Sequence, residues 1–210
     1  MLLNFLVQPG DDTRTLVRFH RVADGAARLD LKSKPVHDFI ALLKKRGTVS
    51  ASYAAVYDNV PVNLQRSWKA TMPDTTGPRL PRYRASYAQL EPFVGEQYRA
   101  GVTIVVGTDS IGGFSLHREV EICVRAGIPA NEVLRMATWT AARVTQTLPE
   151  TGAITPGKRA DLILVEGNPL EDISTVRQVA LVLKEGVAYH PSELYESMGI
   201  KPFAAPALLK

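Results

Sequence analysis

A single cysteine, Cys123, stands among 210 residues. One thiol cannot build an internal disulfide framework or a cysteine-only metal cluster. There is no run of roughly 18 apolar residues, so no stretch reads as a membrane span and no membrane partner is expected. Met1-Leu2-Leu3-Asn4-Phe5-Leu6-Val7 carries no basic leader and no long apolar core, so the start does not read as a signal peptide. At face value the chain is cytoplasmic. Cations exceed anions only slightly, 25 Lys and Arg against 21 Asp and Glu, and no dense basic block lies beside aromatics. That balance argues against a nucleic-acid partner. His20, His37, His117 and His190 are scattered, and H-x-H, HExxH and C-x-x-C are all missing. By itself the chain cannot supply a familiar three- or four-ligand zinc site. The 45% apolar and 22% charged content is that of an ordinary globular chain and excludes disorder, collagen and coiled coil.

What is present alternates between helix and strand. Residues 1–8 read as a strand closed by the turn Pro9-Gly10-Asp11-Asp12. Between Asp30 and Gly47, Val36, Phe39, Ile40 and Leu43 repeat at helical spacing, with Pro35 in the first turn and Lys44-Lys45-Arg46 at the last. Thr48 to Tyr53 reads as a short alternating strand. The connection from Asn59 to Arg84 is long enough to be functional or mobile. Tyr53, Tyr57, Trp68 and Arg79 to Arg84 in or near it either line a pocket or cover the end of the fold. Ser86 to Ala100 is helical, with Pro92 expected to kink or divide it.

Val102 to Val106 is a β-branched run of the kind buried on both faces of a parallel sheet. A helix from Leu116 to Ala126 puts Leu116, Val120, Cys123 and Val124 on one face, so Cys123 reads as buried and inert. Pro129 and Asn131 open another helix through Val133, Leu134 and Ala137, and Thr140 to Thr147 continues helical. After Pro149 the pattern changes. Ala160 to Val165 is a strand, Glu166-Gly167-Asn168-Pro169 a turn, Val179 to Lys184 a strand, and Glu185-Gly186 a tight turn into Val187-Ala188-Tyr189. The expected division is an α/β part over 1–149 and a small β module over 150–210.

The most informative chemistry lies where the buried strand ends. In α/β folds, sites form at the C-terminal ends of parallel strands, because side chains from several strands converge there. Gly107-Thr108-Asp109-Ser110 leaves the strand at that end. Gly107 permits close backbone approach, and Thr108 and Ser110 offer hydroxyls that could orient the Asp109 carboxylate. The plain alternative is that Asp109 caps the following helix. Ser110 lacks the G-x-S-x-G setting of a nucleophile. His117, on the first turn of the next helix, either reaches the site or lies on the surface. Gly112-Gly113 before that helix would suit an anion grip in an unrelated barrel.

A family resemblance joins these pieces. Gly107-Thr108-Asp109-Ser110, Leu116-His117-Arg118-Glu119-Val120-Glu121, Ala126-Gly127-Ile128, Val133-Leu134-Arg135-Met136-Ala137-Thr138 and Ala141-Ala142-Arg143-Val144 resemble the end of the metal-dependent amidohydrolase superfamily. So do Gly152 to Leu162, Asn168-Pro169-Leu170 and Val182 to Gly186, with the imidazolonepropionase-like and prolidase-like branch the most similar. The match is dense over residues 100–190. Asp12-Thr13-Arg14-Thr15 and Tyr57-Asp58-Asn59-Val60-Pro61 match more loosely.

The resemblance implies a distorted (β/α)₈ barrel with one or two divalent metals, usually zinc. Their ligands come from an H-x-H on the first strand, a carboxylated Lys or Glu on the fourth, His on the fifth and sixth, and Asp on the eighth. Only the last is matched, by Asp109, which the resemblance makes both metal ligand and general base. Thr108, Ser110, His117 and Tyr57 are its candidate neighbours or substrate contacts. The chain is expected to hold the last two to three βα units of the barrel, beginning near the sixth strand, plus the C-terminal strands of a small β-sandwich. On this reading it is a truncated C-terminal half, inactive alone, whose substrate class is a small amide, lactam or dipeptide. Its expected partner is a missing N-terminal half or a second copy. A non-catalytic remnant, or a module that completes another chain's barrel, is the alternative.

Overall fold

The structure, a computed structural model, describes residues 2–15, 17–52, 80–108 and 114–207. The chain opens on a 3₁₀ turn, Leu2–Phe5, and not on the expected strand. Leu2, Phe5 and Leu6 recur at helical spacing and drop onto one apolar cluster, where the Phe5 ring meets Phe39 edge-on at 5.3 Å. Helix α1, Val17–Gly25, and a 3₁₀ turn at Ala26–Arg28 follow. Helix α2, Lys34–Lys45, falls within the span its apolar repeat marks. Pro35 lies in its first turn, and Val36, Ile40 and Leu43 are buried.

Strand β1, Val49–Ser52, runs parallel to β2, Thr103–Val106, in the register Val49 to Thr103 through Ser52 to Val106. Among the described residues, two helices lie between them in sequence. Helix α3, Leu80–Ala88, begins inside what the sequence suggested was irregular connection. Helix α4, Leu90–Arg99, starts after Gln89, so the division falls before Pro92. Pro92 sits in the first turn of α4, where its missing N–H costs nothing. Val102 and Ile104 are buried while Thr103, Val105 and Val106 are half-buried, so β2 is less enclosed than its composition suggested.

Helix α5, Phe114–Arg125, packs Val120 and Cys123 against Val94 and Ile104. Leu116 stays 41% exposed, because the buried row of this helix runs through Ser115 and Glu119 and passes it by. Helix α6, Ala130–Arg135, a π turn at Met136–Thr140 and α7, Ala141–Val144, run on as one helical arm. Trp139 on the π turn has the Arg135 and Arg143 guanidinium groups 4.5 and 5.1 Å from its ring centre.

Among the described residues, the remaining strands form a separate antiparallel sheet of three: β3 (Leu162–Val165), β4 (Val179–Lys184) and β5 (Val187–Tyr189). Helix α8, Pro191–Ser197, follows and has no counterpart in the sequence reading. The 3₁₀ turn Ile173–Arg177 delivers Val176 into the same core as β2 and α5, tying this sheet to the α/β part. Lys158 donates from Nζ to the Leu148 carbonyl and, at 3.1 Å, to that of Thr151. Asp161 accepts from Lys184 Nζ and the Glu185 N–H, both at 2.9 Å. The Gly152 to Leu162 string thus works as joinery between the two parts.

Between β4 and β5, Glu185 and Gly186 both take positive φ, 53° and 81°, as a two-residue turn of this hand requires. A glutamate is strained there. Glu185→Asn is expected to stabilise the fold by about 0.5–1 kcal/mol, a rise of roughly 2 °C in a thermal melt. The exposed ion pairs lost with the carboxylate offset little of this.

Candidate active site

The C-terminal end of the parallel pair is built from small and polar groups. Along β1 the serines point inward: Ser50 and Ser52 are buried, while Val49 is 37% exposed. This inverts the usual alternation, and the reason lies on α5. Glu119 is fully buried there, within the same row as Val120, Cys123 and Ala126, and Ser52 Oγ donates a hydrogen bond to its Oε1. A buried carboxylate needs such donors, because its desolvation is costly. Cys123 Sγ lies 3.7 Å from the same hydroxyl. Burial, and the nearby Glu119 carboxylate, push its thiol up to about 12. An un-ionised buried thiol is a poor nucleophile, in keeping with the inert role read from the helical pattern.

The Ser52 carbonyl accepts from the Gly107 N–H at 3.0 Å, extending the ladder one residue beyond β2. Gly107 and Thr108 leave the sheet there, both half-buried. Asp109, Ser110 and Tyr57 lie outside the described residues, as do Tyr53, Trp68 and Gly112-Gly113.

His117 faces another set of groups. It is half-buried, and burial chiefly, with the Arg177 charge, holds its imidazole below the ordinary range, partly offset by Glu121. Glu121 accepts a two-pronged bond from Arg177, at 2.5 and 2.8 Å, and a third from Arg118 at 3.1 Å. These bonds, with that of Arg177 foremost, hold the Glu121 carboxyl below the usual carboxylate range. Arg177 ends the 3₁₀ turn that reaches back from the β module, so the cluster fastens that module to α5.

Arg177→Ala is expected to cost about 1–2 kcal/mol at neutral pH, allowing for partial exposure of the pair. Because the folded-state value of Glu121 is depressed, this stabilisation is present above the ordinary glutamate range. It is lost as acid protonates Glu121 below that range. Thermal melts of the two proteins should therefore converge only in acid. A constant gap across that range would contradict the assignment.

Neither Glu119 nor Ser52 stood out in the sequence as functional. The available signals were an acid in the apolar row of a helix, four residues before Cys123, and an S-x-S at strand spacing. Among the described residues no group of three His, Cys, Asp or Glu side chains could hold a metal ion. With Glu119 engaged by Ser52 and Cys123 un-ionised, the described donors by themselves do not fit one.

A parallel pair joined through helices, with a polar strand end and an appended antiparallel sheet, defines an α/β protein of the kind that carries chemistry at its strand ends. Comparison with known proteins sharpens the class. Residues 89–188 match the model of the Amidohydrolase family. Ochratoxinase from Aspergillus niger is 34% identical over 111 residues, 52% of this chain and 22% of that protein. The crystal structure of a Xaa-Pro dipeptidase with bound methionine superposes with a TM-score of 0.61 at 27% identity, covering 83% of this chain and 42% of that one. The A. niger ochratoxinase structure gives 0.57 at 25% identity, over 75% of this chain and 35% of that one. The chain thus spans about a fifth of the ochratoxinase sequence it matches. It spans less than half of either structure.

Proposed function

We propose that this chain supplies the C-terminal part of a metal-dependent amidohydrolase. In this reading β1 and β2 are the last two strands of a (β/α)₈ barrel, and β3 to β5 belong to a small β-sandwich beginning near residue 150. The observation that carries it is positional. Gly107 and Thr108 emerge at the C-terminal end of a parallel strand inside the segment that matches the amidohydrolase family. Asp109 is the next residue.

Asp109 is then the general base. Its carboxylate takes a proton from the attacking water and returns it to the leaving nitrogen of a scissile C–N bond. Thr108 and Ser110 orient that carboxylate, and His117 and Tyr57 serve as neighbours or substrate contacts. A divalent metal, zinc by expectation, supplies Lewis acidity and an activated water in such enzymes. In this reading its other ligands come from outside this chain, whose sequence carries no H-x-H. The substrate class is a small amide, lactam or dipeptide. The isolated chain is expected to be inactive.

The test is reconstitution. The chain is paired with a polypeptide carrying the H-x-H strand and the other histidine ligands, and hydrolysis is assayed on a panel of dipeptides and lactams. Turnover by the pair and none by either part supports the proposal. Turnover by the pure isolated chain with added zinc contradicts it. A second reading, a non-catalytic module that completes another chain's barrel, draws on the share of its relatives that the chain spans. Stable pairing without turnover would favour it.

A further inference from the structure

We propose that Ser52 and Glu119 are positioning residues that clasp the two ends of the segment carrying Asp109. This rests on the reading of Asp109 given above. Gly107 is where the chain leaves β2, and Phe114 opens α5. Ser52 bonds to both sides of that interval. Its carbonyl accepts from the Gly107 N–H at 3.0 Å, and its hydroxyl donates to Glu119 in the second turn of α5. Cys123 Sγ, one turn further on, closes the group at 3.7 Å.

Burial makes the arrangement informative. Ser52 and Glu119 are 3% and 0% exposed, and the buried residues that follow Glu119 on α5, Val120, Ile122 and Cys123, are apolar. An apolar side chain of the same volume would satisfy packing there without the cost of desolvating a carboxylate. What Glu119 adds is direction. A hydrogen bond fixes the angle and distance between strand end and helix, whereas apolar contact fixes only proximity. A catalytic carboxylate between those anchors needs that constraint, since small misplacements of a reacting group are costly in rate.

The test separates packing from direction. Glu119→Met keeps the volume and removes the acceptor, while Glu119→Gln keeps an acceptor for Ser52 Oγ. Amide exchange in the full chain is expected to speed up about tenfold at Gly107 in Glu119→Met, with the amides of α2 unchanged. In the reconstituted pair kcat should fall about tenfold with KM within about threefold, and Glu119→Gln should stay within about threefold of the parent on both readouts. Should Glu119→Met fail to fold, Ser52→Ala removes the same bond and carries the same expectations. Unchanged exchange and kcat in the acceptor-less variant would overturn the inference, as would a Gln variant as impaired as Met. Asp109→Asn keeping full activity would sink the reading of Asp109, yet the exchange result would still decide the clasp.

Discussion

Replacing Asp109 with Asn in the reconstituted enzyme is expected to lower kcat by roughly 10²–10⁴-fold, with KM little changed. Asn matches the carboxylate in size and shape, so the strand end and the packing of β2 against β1 should survive. What it cannot do is accept a proton. If Asp109 takes the proton of the attacking water and hands it to the leaving nitrogen, the loss falls on the chemical step and on kcat. The bland alternative, a carboxylate that only caps the next helix, predicts something else. Cap loss costs about 1 kcal/mol of stability, and Asn is itself a good cap, so a capping Asp109 would yield to Asn with almost no change. Steady-state kinetics and a melt of the same variant separate the two, and activity within twofold of the parent would remove Asp109 from the mechanism.

The second large effect is structural. Gly95 lies on α4 where it crosses the end of α5, and a Cβ built there would come 2.3 Å from the Ala126 carbonyl oxygen. Backbone cannot move aside as a flexible side chain can. Gly95→Ala should force the two helices apart and cost about 2–3 kcal/mol, a fall of roughly 5–10 °C in Tm. The damage would not stay local. Ala126 and Val94 both belong to the core that holds β2, so the strand end would lose definition as well. A melting temperature within 2 °C of the parent would show that the crossing relaxes more easily than its geometry implies.

How much of this was legible beforehand depended on whether the local pattern and the tertiary environment agreed. In α2 they agree: Val36, Ile40 and Leu43 are apolar at helical spacing and are buried. The hairpin at Glu185-Gly186 was equally plain, because its glycine sits where the turn needs it. At the start they conflict. Seven residues that are nearly all apolar fit a strand or a helical turn, and the cluster around Phe39 selected the turn. Pro92 marked a kink or a division, and the helix is divided, after Ala88; its exact place was not readable, because a proline is accommodated in a helix's first turn. Ser50 and Ser52 were unreadable as inward residues, since only a buried acid on another element makes a serine face useful. The strand before Asp109 was legible for a different reason: its β-branched run is unmistakable, and it is found as Thr103–Val106. The role of Asp109 itself, outside the described residues, is an expectation from the polar string at that strand's end, where α/β folds keep their chemistry.

The central claim is that this chain is one end of a metal-dependent C–N hydrolase, and the coding frame upstream of Met1 tests it most directly. The account predicts an open frame, or a companion chain encoded beside it, that supplies an apolar strand ending in H-x-H and further histidine-bearing strands. A stop codon close upstream, with no such companion encoded and none purifying with the protein, would contradict it.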